Sequence, residues 1–422
     1  MLTSLAFIFL LGLSMAALGQ MLKLPRIVGM LLTGIVLGPY ALNLLDPTIL
    51  KISPDLREMA LIVILIEAGL SLNLADLKKI GTIAVLMSTV PAAFEILGYV
   101  VFAPMLLGVS YIDAAVMGAV LGAVSPAVVV PRMIKLLDEG YGAEKSIPQL
   151  IVAGSSCDDL VVIVLFTTFV SISRGGSVNW MEFANIPISI VLGIAIGGIF
   201  GYALSTFFET AYSHQHLVQN SMKVIIVLGV SFLLMAIETA LKNYVAMSGL
   251  LAVVSMACVI KMKTDHQVTQ RLSEKFSRLW IATEVLLFVL VGSTVDIHYM
   301  MYSGLSAIFV VIMALLFRSV GVLLCLVKSP LTMKERIFCI IAYLPKATVQ
   351  AAIGSVPLSL GMPCGKVVLS VAVLGILITA PLGALGIDAS YKKLLTTSFP
   401  NYSGTINTKK KKDKAPKELQ AN

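Results

Sequence analysis

The sequence predicts an all-α polytopic membrane protein of about thirteen transmembrane helices, folded as two inverted six-helix repeats with crossed broken helices. Three observations predict it. First, 58% of the 422 residues are hydrophobic and only 13% are charged, with a mean hydropathy of +0.95, more apolar surface than a soluble core can absorb. Second, the apolar runs recur at bilayer-spanning length between short charged or Pro/Gly-rich turns. Third, two of those runs carry prolines in matching places seven segments apart, and an odd offset inverts the second copy relative to the first.

In order, the segments lie near 2–22, 26–40, 58–72, 80–107, 112–135 and 148–171, then 185–208, 222–240, 244–261, 280–297, 303–327, 335–358 and 366–387. The first of them, Leu2 to Leu22, lacks a basic leader and reads as a retained helix rather than a cleaved signal. Sixteen Lys and Arg residues fall on the alternate loops beginning at Lys23, against five on the opposite set (Lys51, Arg57, Arg174, Lys242 and Lys366). This bias places the N-terminus outside and the Lys-rich C-terminus in the cytoplasm, as expected for a multi-pass protein of the cell membrane. The net charge of +8 resides in loops and in a tail containing Lys409 to Lys412. It reads as a set of topological signals, and no nucleic-acid partner is expected. The five cysteines form no CxxC pair and read as small core residues.

Two spans look interrupted. The fifth contains Ser125-Pro126 and Pro131, and the twelfth contains Pro345 directly before Lys346. Each proline removes a backbone donor and crowds the preceding turn. A single kink of this kind is ordinary in membrane helices. Two at corresponding places instead form the half-helix ends from which transporters build ion sites at the midplane.

Charges inside the spans are costly and mark function. The sixth span carries Asp158 and Asp159 side by side. Helical neighbours point about 100° apart, so the two carboxylates need different surroundings and take different roles. Pairing Asp158 with Lys346 would leave Asp159 facing the cavity, open to a proton or a small cation. A static Asp158–Lys346 ion pair is the plainer alternative. Helix order puts Glu95 beside Arg318 as a second buried ion pair, a geometry that rarely releases its proton. Ser125, Ser155, Ser156 and Thr348 are hydroxyl candidates for cation coordination, although a membrane-helix serine more often bonds its own backbone. The roles of Glu67 and Glu284 stay open.

The strings Gly118 to Pro131, Gly154 to Asp159 and Leu344 to Gly354 resemble those of NHA-type sodium/proton antiporters of the monovalent cation/proton antiporter 2 superfamily. The resemblance implies an NhaA-like or NapA-like homodimer with a dimerisation part and a six-helix core that moves as an elevator. By the same resemblance, Asp159 binds Na⁺ or Li⁺, Asp158 pairs with Lys346, and Glu95 pairs with Arg318. Residues 1–390 would form the membrane domain and 391–422 a disordered cytoplasmic tail. The dimerisation part would comprise the segments near 2–22, 26–40, 185–208, 222–240 and 244–261, and the transport part those near 58–171 and 280–387. No cofactor and no enzymatic activity are expected, since the ions are cargo and lipid is the surrounding medium.

Other classes fit less well. An intramembrane aspartyl protease needs its aspartates on different helices, and a prenyltransferase needs further carboxylates after Asp159, where Leu160 to Ile163 supply none. A channel would show a filter sequence. A sodium-coupled organic-anion symporter shares the broken-helix architecture and is the main rival, but it has no need of Lys346 beside an aspartate pair.

Overall fold

A computed structural model describes residues 1–22, 24–71, 82–175, 180–213, 220–241 and 247–397. The described chain is almost wholly helical, beginning with α1 (Leu2–Met21), α2 (Arg26–Leu37), α3 (Pro47–Lys51), α4 (Ser53–Ser71), α5 (Thr82–Leu107), α6 (Tyr111–Leu121), α7 (Pro126–Asp138) and α8 (Ile147–Gly175). It continues with α9 (Trp180–Ser213), α10 (Asn220–Leu241), α11 (Gly249–Lys263), α12 (His266–Ser293), α13 (Ile297–Leu326), α14 (Met333–Ala342), α15 (Thr348–Gly354), α16 (Val356–Ser359) and α17 (Gly365–Leu394).

Where described, each expected segment falls on a helix or on a run of broken helices; residues 72, 80–81 and 244–246 of three of them lie outside the described residues. Among the described residues, nine spans are long and apolar enough to cross a membrane. The other four expected segments are helical but do not meet that measure: α2, α4 and α11 are short or carry several charges, and the segment near 335–358 is divided among α14, α15 and α16. The helix expected near 280–297 starts earlier, at His266. Its amphipathic first half hides behind Arg271, Glu274, Lys275 and Arg278, yet Val268, Leu272, Phe276 and Trp280 are buried at every fourth position. The final helix also runs past its expected end to Leu394. Residues 398–422, where most of the expected disordered tail falls, lie outside the described residues.

Packing sorts the helices into two groups. In the first, α12 lies so close to α2 that a side chain at Gly34 would meet the Val289 carbonyl, and one at Gly12 of α1 would meet Val285. A side chain at Gly69 of α4 would strike Ala257 of α11. In the second, α5 and α13 run along each other, with Gly98 against Ala314, Gly321 against Pro91, and Phe102 edge-on to Phe317 at 6.0 Å. The segments α6, α7, α8 and α14 to α17 pack around that pair. The sequence reading placed the segments near 58–72 and 280–297 with the transport core. In the structure α4 packs on α11 and α12, and α12 packs on α1, α2 and α4. Chain order gave no hint of this, because both segments are the last before the second group begins.

Outward-facing Leu10, Leu305, Leu316 and Leu324 are exposed, as lipid-facing positions should be, while the buried core lies between the groups and around the two breaks.

Candidate ion-binding site

The first break separates α6 from α7 at Gly122 to Ser125, and the second separates α14 from α15 at Tyr343 to Ala347. Pro126 at the start of α7 and Pro345 between α14 and α15 explain why neither helix continues. The breaks cross in contact, with the Ser125 amide donating to the Pro345 carbonyl at 2.9 Å. Gly383 of α17 provides the room, since a side chain there would strike the Pro345 ring.

Freed backbone groups must find partners away from water, and side chains supply many of them here. Arg318 donates to the Gly122 carbonyl. Lys346 Nζ at 3.1 Å and Gln350 Nε2 at 2.7 Å donate to the Ala123 carbonyl. The Val124 amide donates to Asp158 Oδ2 at 2.9 Å. On the second break, Arg318 Nε donates to the Tyr343 carbonyl at 2.8 Å, the Lys346 amide to Thr379 Oγ1 at 3.0 Å, and the Ala347 amide to Gln350 Oε1 at 2.7 Å.

The side chains that satisfy these groups also pair with one another. Arg318 bridges Glu95 Oε2 at 2.6 Å and Asp158 Oδ2 at 2.8 Å. Lys346 Nζ binds the same Glu95 oxygen at 2.6 Å. The expected Asp158–Lys346 pair is therefore not the pairing found: Asp158 is held by Arg318, and Lys346 by Glu95. Arg318 and Glu95 are in contact, but within a four-membered network rather than as a separate pair. One guanidinium reaches two carboxylates because its planar fork presents donors on both edges.

Asp159 sits outside that network. It is 8% exposed, among the described residues no basic group lies within ion-pair reach of it, and its Oδ1 has no hydrogen-bond partner there. Asp158 Oδ1, Glu95 Oε1 and Ser125 Oγ are buried and unpartnered as well. The cluster of Glu95, Asp158 and Asp159 against Arg318 and Lys346 thus holds three formal negative charges and two positive ones. Of the other hydroxyl candidates, Ser155 donates to the Val152 carbonyl at 3.1 Å, the ordinary membrane-helix arrangement. Thr348 is buried at the first position of α15. The side chain of Ser156 lies outside the described residues. Glu67 accepts a hydrogen bond from Ser277, and Glu284 is buried on α12. Both belong to the first helix group.

Sequence reasoning missed Tyr343, Gln350 and Thr379. The Tyr343 ring stacks on the Arg318 guanidinium at 5.5 Å, and its hydroxyl presses on Gly154, one turn before Asp158. Gln350 follows Lys346 by one turn and was legible in principle as a polar residue beside a break. Thr379 was not, because a lone threonine in an apolar helix has the same signature as one that bonds its own backbone.

At the membrane end of α14, Thr332 and Glu335 form a reciprocal capping box, and Lys145 from the α7–α8 loop reaches Glu335 at 2.8 Å. Burial alone would raise the Glu335 carboxyl, but the hydrogen bonds from Lys145 and Thr332 outweigh it and hold the group below its ordinary value.

The chain has relatives among known proteins. The human sodium/hydrogen exchanger 9B2 is 34% identical over 382 residues, covering 88% of this chain and 70% of that protein. The human sodium/hydrogen exchanger 9B1 is 32% identical over 394 residues, covering 89% and 73%. In three dimensions the chain is similar to the sodium proton antiporter MjNhaP1 from Methanocaldococcus jannaschii at pH 8, with a TM-score of 0.79 at 21% identity, covering 93% of this chain and 98% of that one. That likeness establishes the antiporter fold. The family description "Sodium/hydrogen exchanger, transmembrane" matches residues 5–390, and with these relatives it places the chain in the sodium/hydrogen exchanger family of membrane transporters.

Proposed function

We propose that the chain exchanges Na⁺ or Li⁺ for protons, with the two ions competing for Asp159. The observation that carries this reading is the charge count at the crossed breaks. The buried cluster is one positive charge short, and the shortfall lies at Asp159, the carboxylate without a basic partner. A buried charge is tolerable only when compensated. A proton or an alkali cation each supplies the missing charge, and either one excludes the other. Asp158 Oδ1 and Ser125 Oγ, both unpartnered at the breaks, and the hydroxyl of Thr348 would complete the coordination, with Ser155 offering a remaining lone pair.

In this reading the helices α5 to α8 and α13 to α17 carry the site and move as an elevator against the group containing α1, α2, α4, α11 and α12, which would form the homodimer interface. Lys346 holds Glu95 and can surrender its proton because Arg318 stays on the same carboxylate. If Lys346 gives up that proton, exchange is electrogenic, and each net charge couples to about 2.3 kcal/mol per 100 mV. The charge bias of the loops supports a cell-membrane orientation with the N-terminus outside and the C-terminus in the cytoplasm.

The test is reconstitution in proteoliposomes with a preset pH gradient, adding Na⁺, Li⁺ and K⁺ in turn. Dissipation by Na⁺ or Li⁺ is expected. Silence across the neutral and alkaline range, or dissipation that requires a co-transported organic anion, would overturn the reading in favour of a symporter.

A further inference from the structure

Lys346 Nζ donates to two acceptors, and each of them is also held by a second donor. Glu95 Oε2 receives Lys346 at 2.6 Å and Arg318 Nη1 at 2.6 Å. The Ala123 carbonyl receives Lys346 at 3.1 Å and Gln350 Nε2 at 2.7 Å. At Ala123 the shorter bond therefore belongs to the glutamine.

Gln350 uses both ends of its amide. It is fully buried in the first turn of α15, where its Oε1 accepts from the Ala347 amide at 2.7 Å and caps the start of the helix. Its Nε2 reaches across to Ala123 on the other break. The two partners fix which way the amide points, because an N–H needs the oxygen and a carbonyl needs the nitrogen. One side chain thus joins the second break to the first, and it carries no group that titrates. A glutamate there would keep the cap but lose the donor; a lysine or arginine would lose the cap.

A lysine that gives up its proton becomes a weaker donor and is no longer drawn to the Glu95 carboxylate, since charge-assisted hydrogen bonds are about twice as strong as neutral ones. The Ala123 carbonyl, freed by the break and shut away from water, would then be left poorly satisfied if the lysine were its only donor.

We infer that Gln350 is the positioning residue that lets Lys346 release a proton: with Lys346 as the proton carrier proposed above, the glutamine holds the Ala123 carbonyl, and with it the contact between the breaks, in both charge states of the lysine. The charged groups facing Lys346 are Glu95 of α5, Asp158 of α8 and Arg318 of α13, with Asp159 beside Asp158. Tyr343 at the end of α14 stacks on Arg318. The Ala123 carbonyl, Gln350 and Thr379, its remaining hydrogen-bonded neighbours, do not titrate. Removal of the glutamine amide leaves the carbonyl to the lysine alone, which favours the charged lysine and delays proton release to higher pH.

The test is Na⁺-driven exchange in proteoliposomes at saturating Na⁺, which suppresses proton competition at Asp159 so that the remaining rise with pH reports Lys346. Rates of the wild type, Gln350→Met and Gln350→Leu are read from about pH 6.5 to about pH 9. In the variants the half-maximal pH is expected to move up by about half a unit or more, a roughly threefold change in the lysine's protonation equilibrium. A smaller or opposite shift, whatever happens to the maximal rate, marks a merely structural glutamine and overturns the inference, as does failure of both variants to fold. A wild-type profile that stays flat at saturating Na⁺ overturns it too, while leaving competition at Asp159 in place. Wild-type silence with both Na⁺ and Li⁺ overturns the antiport reading beneath it as well.

Discussion

Lys346 Nζ lies 2.6 Å from Glu95 Oε2, the same oxygen that Arg318 grips at 2.6 Å, so a single carboxylate oxygen serves two cations. The consequence is asymmetric. Loss of the lysine charge leaves Glu95 still paired, whereas loss of the Glu95 charge leaves two buried cations competing for what remains.

Glu95→Gln is therefore expected to destabilise the protein by about 3 kcal/mol or more, the range for breaking a buried pair, and Lys346→Gln by clearly less. Thermal or denaturant unfolding in detergent measures both. Equal losses would mean that Arg318 alone cannot hold Glu95.

Asp159→Asn is expected to abolish cation-driven dissipation of a pH gradient while leaving stability unchanged or higher, because it removes a buried charge that has no basic partner. Transport and unfolding are read on the same preparation. More than half of wild-type exchange in the variant would move the ion site elsewhere.

Gly154→Ala should destabilise, since the new methyl would lie 1.9 Å from the Tyr343 hydroxyl. Overpacking of this kind costs about 1–3 kcal/mol. Tyr343→Phe should restore most of the loss, because the hydroxyl is buried without a hydrogen-bond partner. A double-mutant cycle measures the coupling. Simple additivity would show that α8 shifts to accept the methyl.

Glu335 is held below the ordinary glutamate value of 4.5. A depressed folded-state carboxyl contributes stability that is present above the unfolded-state pKa and lost as pH falls through the folded one. The wild type should thus lose stability on acidification below about pH 4.5, and Glu335→Gln should show a flatter acid limb with a lower plateau at neutral pH. Melting temperature against pH decides it, and parallel curves would remove Glu335 from the acid limb.

Much of the site was legible in the chain because burying a charge is expensive and such charges stand out in apolar runs. Asp158, Asp159, Lys346, Glu95 and Arg318 all declared themselves in this way, and the prolines declared the breaks. Their pairing did not. Helix order places Arg318 near Glu95, but it cannot say that the guanidinium also spans to Asp158 or that Lys346 turns to Glu95. Those choices depend on fractions of a helical turn set by packing, such as the Gly383–Pro345 approach. The groups that satisfy freed backbone, Gln350 and Thr379, likewise have meaning only once the breaks are seen to cross. Grouping α4 and α12 required knowing which faces carry the small residues that allow close contact.

The chain leaving α17 is bound to the loop that links α7 to α8: the Gly142 amide donates to the Thr396 carbonyl at 2.8 Å, and Tyr141 bridges Thr397. Anything attached beyond that point, whether a fused reporter or a docked protein, pulls directly on the loop between a broken helix and the helix of the paired aspartates. The carboxy-terminal strap is in that sense a handle on α7 and α8, and tension applied there reaches the first break and the paired aspartates through a short loop.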